Sequence, residues 1–227
     1  MRHVVLITSI VARLPQGMVP LAIVLLVQER TRSFAVAGLA AGAWALTSAF
    51  SQPIWARPAG RGRAERVLAL TSFSQATVVL IVALSTVKFS PVLVAMAALG
   101  GLLSAPTSAI ARTLWPELTN DQHQLDSLFT LDATSQELIF IVGPALVGVL
   151  VAASGPDLAL IVAASCGALG GLLFAFVIRP LWHPHPRSGE GVRLGRGVRT
   201  IFTVLFLVAL GLAVEPVPDF HRRTKVR

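Results

Sequence analysis

Six continuous apolar runs constrain this chain more than any single residue does. They fall at residues 4–28, 34–56, 67–87, 91–114, 128–153 and 157–178. Each holds about 20 to 26 residues, and roughly 20 apolar residues in a helix cross a hydrocarbon core of about 30 Å. The apolar positions are continuous rather than striped, whereas a soluble helix alternates an apolar face with a polar one. No ten-residue alternating strands suggest a barrel. In lipid the backbone must be satisfied within each segment, so runs of this length read as helices. The expected class is an all-α integral membrane protein.

Composition agrees. The chain is 54% hydrophobic and 13% charged, where a soluble domain carries about 25% charged residues. Its net charge of +8 does not point to nucleic acid, because nearly all the Arg sits in short segments between the runs, as membrane topology requires. Lys88 and Lys225 are its only lysines. This Arg, Ala, Val and Gly bias resembles the codon usage of a GC-rich bacterial genome, which makes a bacterial cell membrane the expected location. The N-terminal run is interrupted by Arg13 and outlasts a signal peptide, so it is not read as cleavable. The lone Cys166 lies in Ser165-Cys166-Gly167-Ala168-Leu169-Gly170-Gly171 and reads as a small packing residue.

The basic residues orient the chain. With the N-terminus inside, one side holds Arg2, Arg57, Arg61, Arg63, Arg66, Arg112, Arg179, Arg187, Arg193, Arg196 and Arg199. The other side holds Arg30, Arg32 and Lys88. That bias places the N-terminus in the cytoplasm. The expected layout is a six-helix bundle over 1–178, a basic linker over 179–199, a short seventh apolar run over 200–215 and a basic tail over 216–227. The seventh run is about 15 residues, too short to cross the core. The chain therefore reads as truncated, by a frameshift, an early stop or a mis-called gene.

Enzyme chemistry finds no support. The His residues are scattered at positions 3, 123, 183, 185 and 221, and no metal spacing or nucleophile motif accompanies them. His183-Pro184-His185 lacks a third ligand. No metal and no cofactor are expected. Gly38-x3-Gly42 in the second run and Gly167-x3-Gly171 in the sixth are read as helix-packing motifs, since small residues four apart let backbones approach.

Charges inside the runs are candidates for function, because each costs about 2.5–3.5 kcal/mol at mid-bilayer on insertion scales. Arg13 lies about nine residues into the first run, and Asp132 and Glu137 lie about four and nine residues into the fifth. Depth matching at 1.5 Å per residue pairs Arg13 with Glu137 and Arg112 with Asp132. One reading is a structural ion pair. The other sets Arg13 or Glu137 in a water-filled cavity against a substrate or a coupling proton. Pro15, Gln16, Gly17 and Pro20 suggest a kinked, polar first span. Gly100, Gly101, Pro106 and Ser108 echo it in the fourth.

These segments resemble the N-terminal half of the major facilitator superfamily, in a bacterial branch of transporters. The resemblance covers residues 1 to about 215 and rests on five segments. They are Arg13-Leu14-Pro15-Gln16-Gly17-Met18, residues 53–68, Ala111-Arg112-Thr113-Leu114-Trp115-Pro116, Asp132, and Glu137-Leu138-Ile139-Phe140-Ile141-Val142-Gly143-Pro144. The family's loop between spans two and three reads Gly-x-x-x-Asp-Arg-x-Gly-Arg-Arg. Arg57, Arg61 and Arg66 match its basic positions, while Ala56, Gly60 and Arg63 replace its Gly, Asp and later Gly. The Asp helps latch the family's cytoplasmic gate, so its replacement implies a diverged member. Gly143-Pro144-x3-Gly148 is similar to the antiporter motif of span five.

The resemblance implies one half of a major facilitator fold, built as three plus three spans, with substrate bound against a second half near the midplane. It implies secondary-active transport, drug-like export by proton antiport, with Arg13, Gln16, Asp132 and Glu137 on the substrate or proton path. The partners implied are the lipid bilayer, a small-molecule substrate and protons. As a half, the chain is expected to be inactive alone. The alternative is a half-size membrane protein that works only by homo- or hetero-dimerising.

Overall fold

A computed structural model describes residues 2–119 and 121–181. The linker beyond Leu181, His183-Pro184-His185, the seventh run and the basic tail lie outside the described residues. Among the described residues every regular element is helical: α1 (Arg2–Thr31), α2 (Phe34–Pro58), α3 (Ala64–Leu84), α4 (Ser90–Leu102), α5 (Thr107–Leu118), α6 (Gln122–Ser154) and α7 (Pro156–Ile178).

Two apolar clusters mark opposite ends of the bundle and trace the path. One gathers Val5 of α1, Ala59, Ala64, Trp115 of α5, Leu128 of α6 and Ile178 of α7. The other gathers Leu26 and Val27 of α1, Ala37 of α2, Val82 of α3, Leu93 of α4, Val147 of α6 and Leu160 of α7. We term these the proximal and distal ends. The chain passes from one to the other along each helix, with α4 and α5 together making one passage.

Among the described residues five stretches, not six, are long and apolar enough to cross a membrane, and one of them is the 51-residue stretch Phe34–Leu84. The physical reason is the joint between α2 and α3. It is a wide helical turn, Ala59–Arg63, in which Arg61, Gly62 and Arg63 leave helical geometry. Gly62 has φ 80°, a conformation glycine adopts without the Cβ clash other residues meet. The helix assignment runs on while the chain reverses, so this stretch folds as a hairpin.

The fourth run breaks instead. Residues 103–106 are non-helical, between Gly101 and Pro106, as expected where glycine loosens a helix and proline removes a donor. In lipid the carbonyls freed there need other donors. Two side chains four apart on α2 supply them. Ser51 Oγ donates to Ser104 O at 2.6 Å, and Trp55 Nε1 donates to Leu102 O at 2.8 Å. The first span does not break. Pro15 and Pro20 sit inside a continuous α1, although each removes one intrahelical donor.

A similar device closes the distal end. Arg30 donates through Nη1 to Val82 O and through Nη2 to Ala83 O, both at 2.9 Å, and reaches Asp157 Oδ1 at 2.7 Å. One guanidinium thus satisfies the last carbonyls of α3 and ties them to the first turn of α7.

Glycine sets the closest approaches. A Cβ on Gly167 would lie 2.9 Å from Pro15 Cγ, one on Gly170 would meet Ala12, and one on Gly171 would strike Ser72. So α7 is held between α1 and α3, and the Gly167-x3-Gly171 motif packs as expected. The other motif does not. Gly38 and Gly42 have nothing within 4 Å of an added Cβ, and α2 instead meets α4 where Trp44 and Thr47 cover Gly100 and Gly101. Cys166, next to this α7 seam, is half-buried.

Candidate functional site

Polar side chains concentrate where α1, α5 and α6 meet. Asp132, 1% exposed, is the centre. Its Oδ1 lies 2.6 Å from Arg13 Nη1, and its Oδ2 accepts a 3.0 Å hydrogen bond from Arg112 Nε. The Arg13 contact is a charge contact rather than a well-directed hydrogen bond, so the guanidinium is paired in charge while its Nε and Nη2 have no acceptor among the described residues. Arg13 is fully buried, whereas the Arg112 side chain is 54% exposed.

One turn along, a neutral rung repeats the pattern. Gln136 Nε2 donates to Gln16 Oε1 at 3.3 Å, and Ser108 Oγ donates to Gln136 Oε1 at 3.4 Å. The rungs fix the helix directions. Residues 108 and 112 of α5 meet 136 and 132 of α6, so those helices run antiparallel. Residues 13 and 16 of α1 meet 132 and 136, so α1 and α6 run parallel. Residues four apart share a helix face, which places both rungs on one seam.

Glycine lets α1 and α6 come together there. A Cβ on Gly17 would strike the Ile139 carbonyl, and one on Gly143 would lie 2.6 Å from the Gly17 carbonyl carbon. Pro144, the neighbour of Gly143, lies inside an unbroken α6. Gly148 has open space around it and takes no part in this contact.

The expected Arg13–Glu137 pair does not form; Asp132 takes both guanidiniums. The depth count started the fifth span at residue 128, but α6 starts at Gln122. That early start shifts the register toward Asp132. The added turns are polar and begin at Asp121, whose side chain accepts from His123 N at 3.1 Å as an N-cap. That Asp was a readable start signal. Glu137 lies exposed on α6, one residue beyond Gln136. The expected Arg112–Asp132 contact is present.

Sequence reasoning missed Gln136 as a site residue and gave Ser108 only a place in the fourth-span echo. The available signal was a polar side chain four residues from Asp132 inside an apolar run. The remaining candidates lie apart from the rungs. Arg57 ends α2, Gly60 and Arg61 belong to the wide turn, and Arg66 approaches Glu65 at 3.8 Å on an exposed surface. Pro106 precedes α5, and Pro15 and Pro20 flank Gln16 on α1. Among the described residues no cluster of His, Cys, Asp and Glu is able to hold a metal ion.

No curated protein matches the sequence. The profile of the Major Facilitator Superfamily, whose members are transporters, matches residues 5–218. With its apolar helices and polar seam, the chain belongs to the Major Facilitator Superfamily and is a multi-pass membrane protein of that transporter type.

Proposed function

We propose that this bundle is one wall of a secondary-active transporter that exports a small, drug-like molecule by proton antiport. The observation that carries the reading is the polar seam itself. Buried charge is costly in lipid and is kept where a substrate or ion path needs it. Asp132 lies between the guanidiniums of Arg13 and Arg112, an arrangement that suits a group organising the seam. Glu137, exposed and outside that cluster, suits the coupling proton. The Gly143-Pro144 pair supports antiport through its likeness to the antiporter motif. The cytoplasmic N-terminus and bacterial cell membrane rest on the basic-residue bias.

The test is proton-driven transport in vesicles that hold this chain assembled with a second bundle. Glu137→Gln, expressed and folded as the parent, is expected to lose most of its transport. Parent-like transport by that variant removes Glu137 from the path.

A second bundle completes the reading. The α6 span is only 17% buried, against 44–50% for the others, which favours a partner surface along it. The partner is either a second half or a second copy of this chain. Alone, the chain is proposed not to transport. Uptake by a strictly monomeric preparation overturns that part, and native mass spectrometry in detergent separates a dimer from a monomer.

A further inference from the structure

The charges of the seam do not cancel. Arg13 and Asp132, 0% and 1% exposed, form a neutral buried pair. Arg112 is left as an uncompensated cation, since no second carboxylate among the described residues pairs with it. A guanidinium keeps its charge and carries five donors in a planar fork. Arg112 spends Nε on Asp132. Its outer edge, made by the two Nη groups, has no hydrogen-bond partner among the described residues, on a side chain that is 54% exposed. That edge is pre-organised, because a buried carboxylate fixes the guanidinium at its root. Two parallel N–H groups of this kind match a carboxylate or phosphate.

The surroundings narrow the ligand. Arg112 lies within the apolar passage formed by α4 and α5, where an unpaired charge is costly. One turn away, Ser108 and Gln136 offer neutral hydrogen-bonding groups. On α6, Phe129 and Phe140 stand three residues before Asp132 and four after Gln136, and they are 39% and 56% exposed. Helical spacing puts both aromatics near the face that carries the rungs. Glu137 is turned about 100° from Gln136 around the helix, which sets it off the rung face.

We propose that Arg112 holds the anionic group, carboxylate or phosphate, of an organic solute or lipid whose apolar body lies along α6. This deepens the transport reading and rests on it, narrowing the drug-like solute to an anion. The charge can come from a dissolved organic anion or from an anionic lipid headgroup.

The full chain in phosphatidylcholine nanodiscs is titrated with radiolabelled benzoate, with benzamide and benzylamine as the neutral and cationic counterparts. Saturable benzoate binding, tighter than that of either counterpart, is expected. Arg112→Gln is expected to weaken it about tenfold or more, the effect of losing a charge-assisted contact. Arg112→Lys is expected to restore part of it. The half-exposed position keeps the thermal midpoint of both variants close to the parent's, so lost binding is not lost folding. In a second arm, phosphatidylglycerol is added to the nanodiscs. If it weakens benzoate binding to the parent, a lipid headgroup takes the same site; if it does not, the dissolved anion is the ligand. Benzamide binding as tightly as benzoate, unchanged benzoate binding in Arg112→Gln, or no saturable benzoate binding overturns the proposal. Each of those outcomes leaves the transport reading to its own Glu137→Gln experiment.

Discussion

Asp132→Asn is the sharpest perturbation of this bundle. The change keeps the side-chain shape and removes one negative charge. Arg13 then keeps a fully buried guanidinium with no counterion, 2.6 Å from where the carboxylate oxygen stood. Breaking a buried pair by removing one partner costs about 3–5 kcal/mol. Insertion scales put an unpaired charge at mid-bilayer at about 2.5–3.5 kcal/mol. The two ranges overlap near 3 kcal/mol, more than a hundredfold in the folded population. Arg112 reaches the same carboxylate, but its side chain is 54% exposed. Arg112→Gln leaves Asp132 its buried partner Arg13 and strands no buried charge, so it has a small effect on stability. Replacing both buried partners, as Arg13→Met with Asp132→Leu, removes the stranded charge and is expected to be near neutral.

The assay is equilibrium unfolding in mixed micelles with rising sodium dodecyl sulfate, followed by tryptophan fluorescence and circular dichroism. The chain has 4 Trp, and Trp115 lies buried in the proximal cluster that also holds Leu128, one turn before Asp132 on α6. The expected order of loss is Asp132→Asn far above Arg112→Gln, with the double replacement close to the parent. The reasoning fails if Asp132→Asn costs no more than Arg112→Gln. It also fails if the double replacement costs as much as Asp132→Asn, because the cost then belongs to packing rather than to stranded charge.

The same unfolding curves check two further expectations. Gly143→Ala forces a Cβ to within 2.6 Å of the Gly17 backbone and should destabilise by about 1–3 kcal/mol, the usual cost of overpacking, while Gly148→Ala, with open space around it, should change little. Arg30→Gln strips charge-assisted bonds from the ends of α3 and α7 and should cost about 1.5–3 kcal/mol. Asp157→Asn, whose side chain is 48% exposed, should cost less, and equal losses from the two would show that the α3 carbonyls do not depend on Arg30.

The helices and their order were legible because hydropathy and length report the physics that selects them. A run of apolar residues in lipid has few structures open to it. The joints were less legible. Between α2 and α3 the helix assignment continues through Ala59–Arg63 while the chain reverses there, with Arg61, Gly62 and Arg63 leaving helical geometry. Hydropathy marks where side chains turn polar, not whether the backbone hydrogen bonds stop. Between α4 and α5 the backbone does stop, yet the residues 91–114 remain apolar and read as one run. The donors that make this break tolerable, Ser51 and Trp55, lie about fifty residues away in sequence. No local pattern announces so distant a partner.

The site was legible in its members and not in its pairing, and one helix start accounts for the difference. Arg13, Gln16, Arg112 and Asp132 were all visible as polar groups where lipid disfavours them. Their partners depended on counting depth from the ends of apolar runs. That count works when a helix begins at the membrane surface, and α6 does not, since its N-cap Asp121 stands well before the apolar run at 128. Counting instead from Arg2 and Gln122 places Arg13 level with residue 133, next to Asp132. The glycines give an independent register. The Gly17–Gly143 contact sets α1 against α6 in the same parallel sense as the pairs of Arg13 with Asp132 and Gln16 with Gln136. A carboxylate chosen by helix register rather than by chance should resist relocation. Moving it one turn, as Asp132→Ala with Gln136→Asp, should not restore the stability lost in Asp132→Asn, because Gln16 rather than Arg13 faces that position.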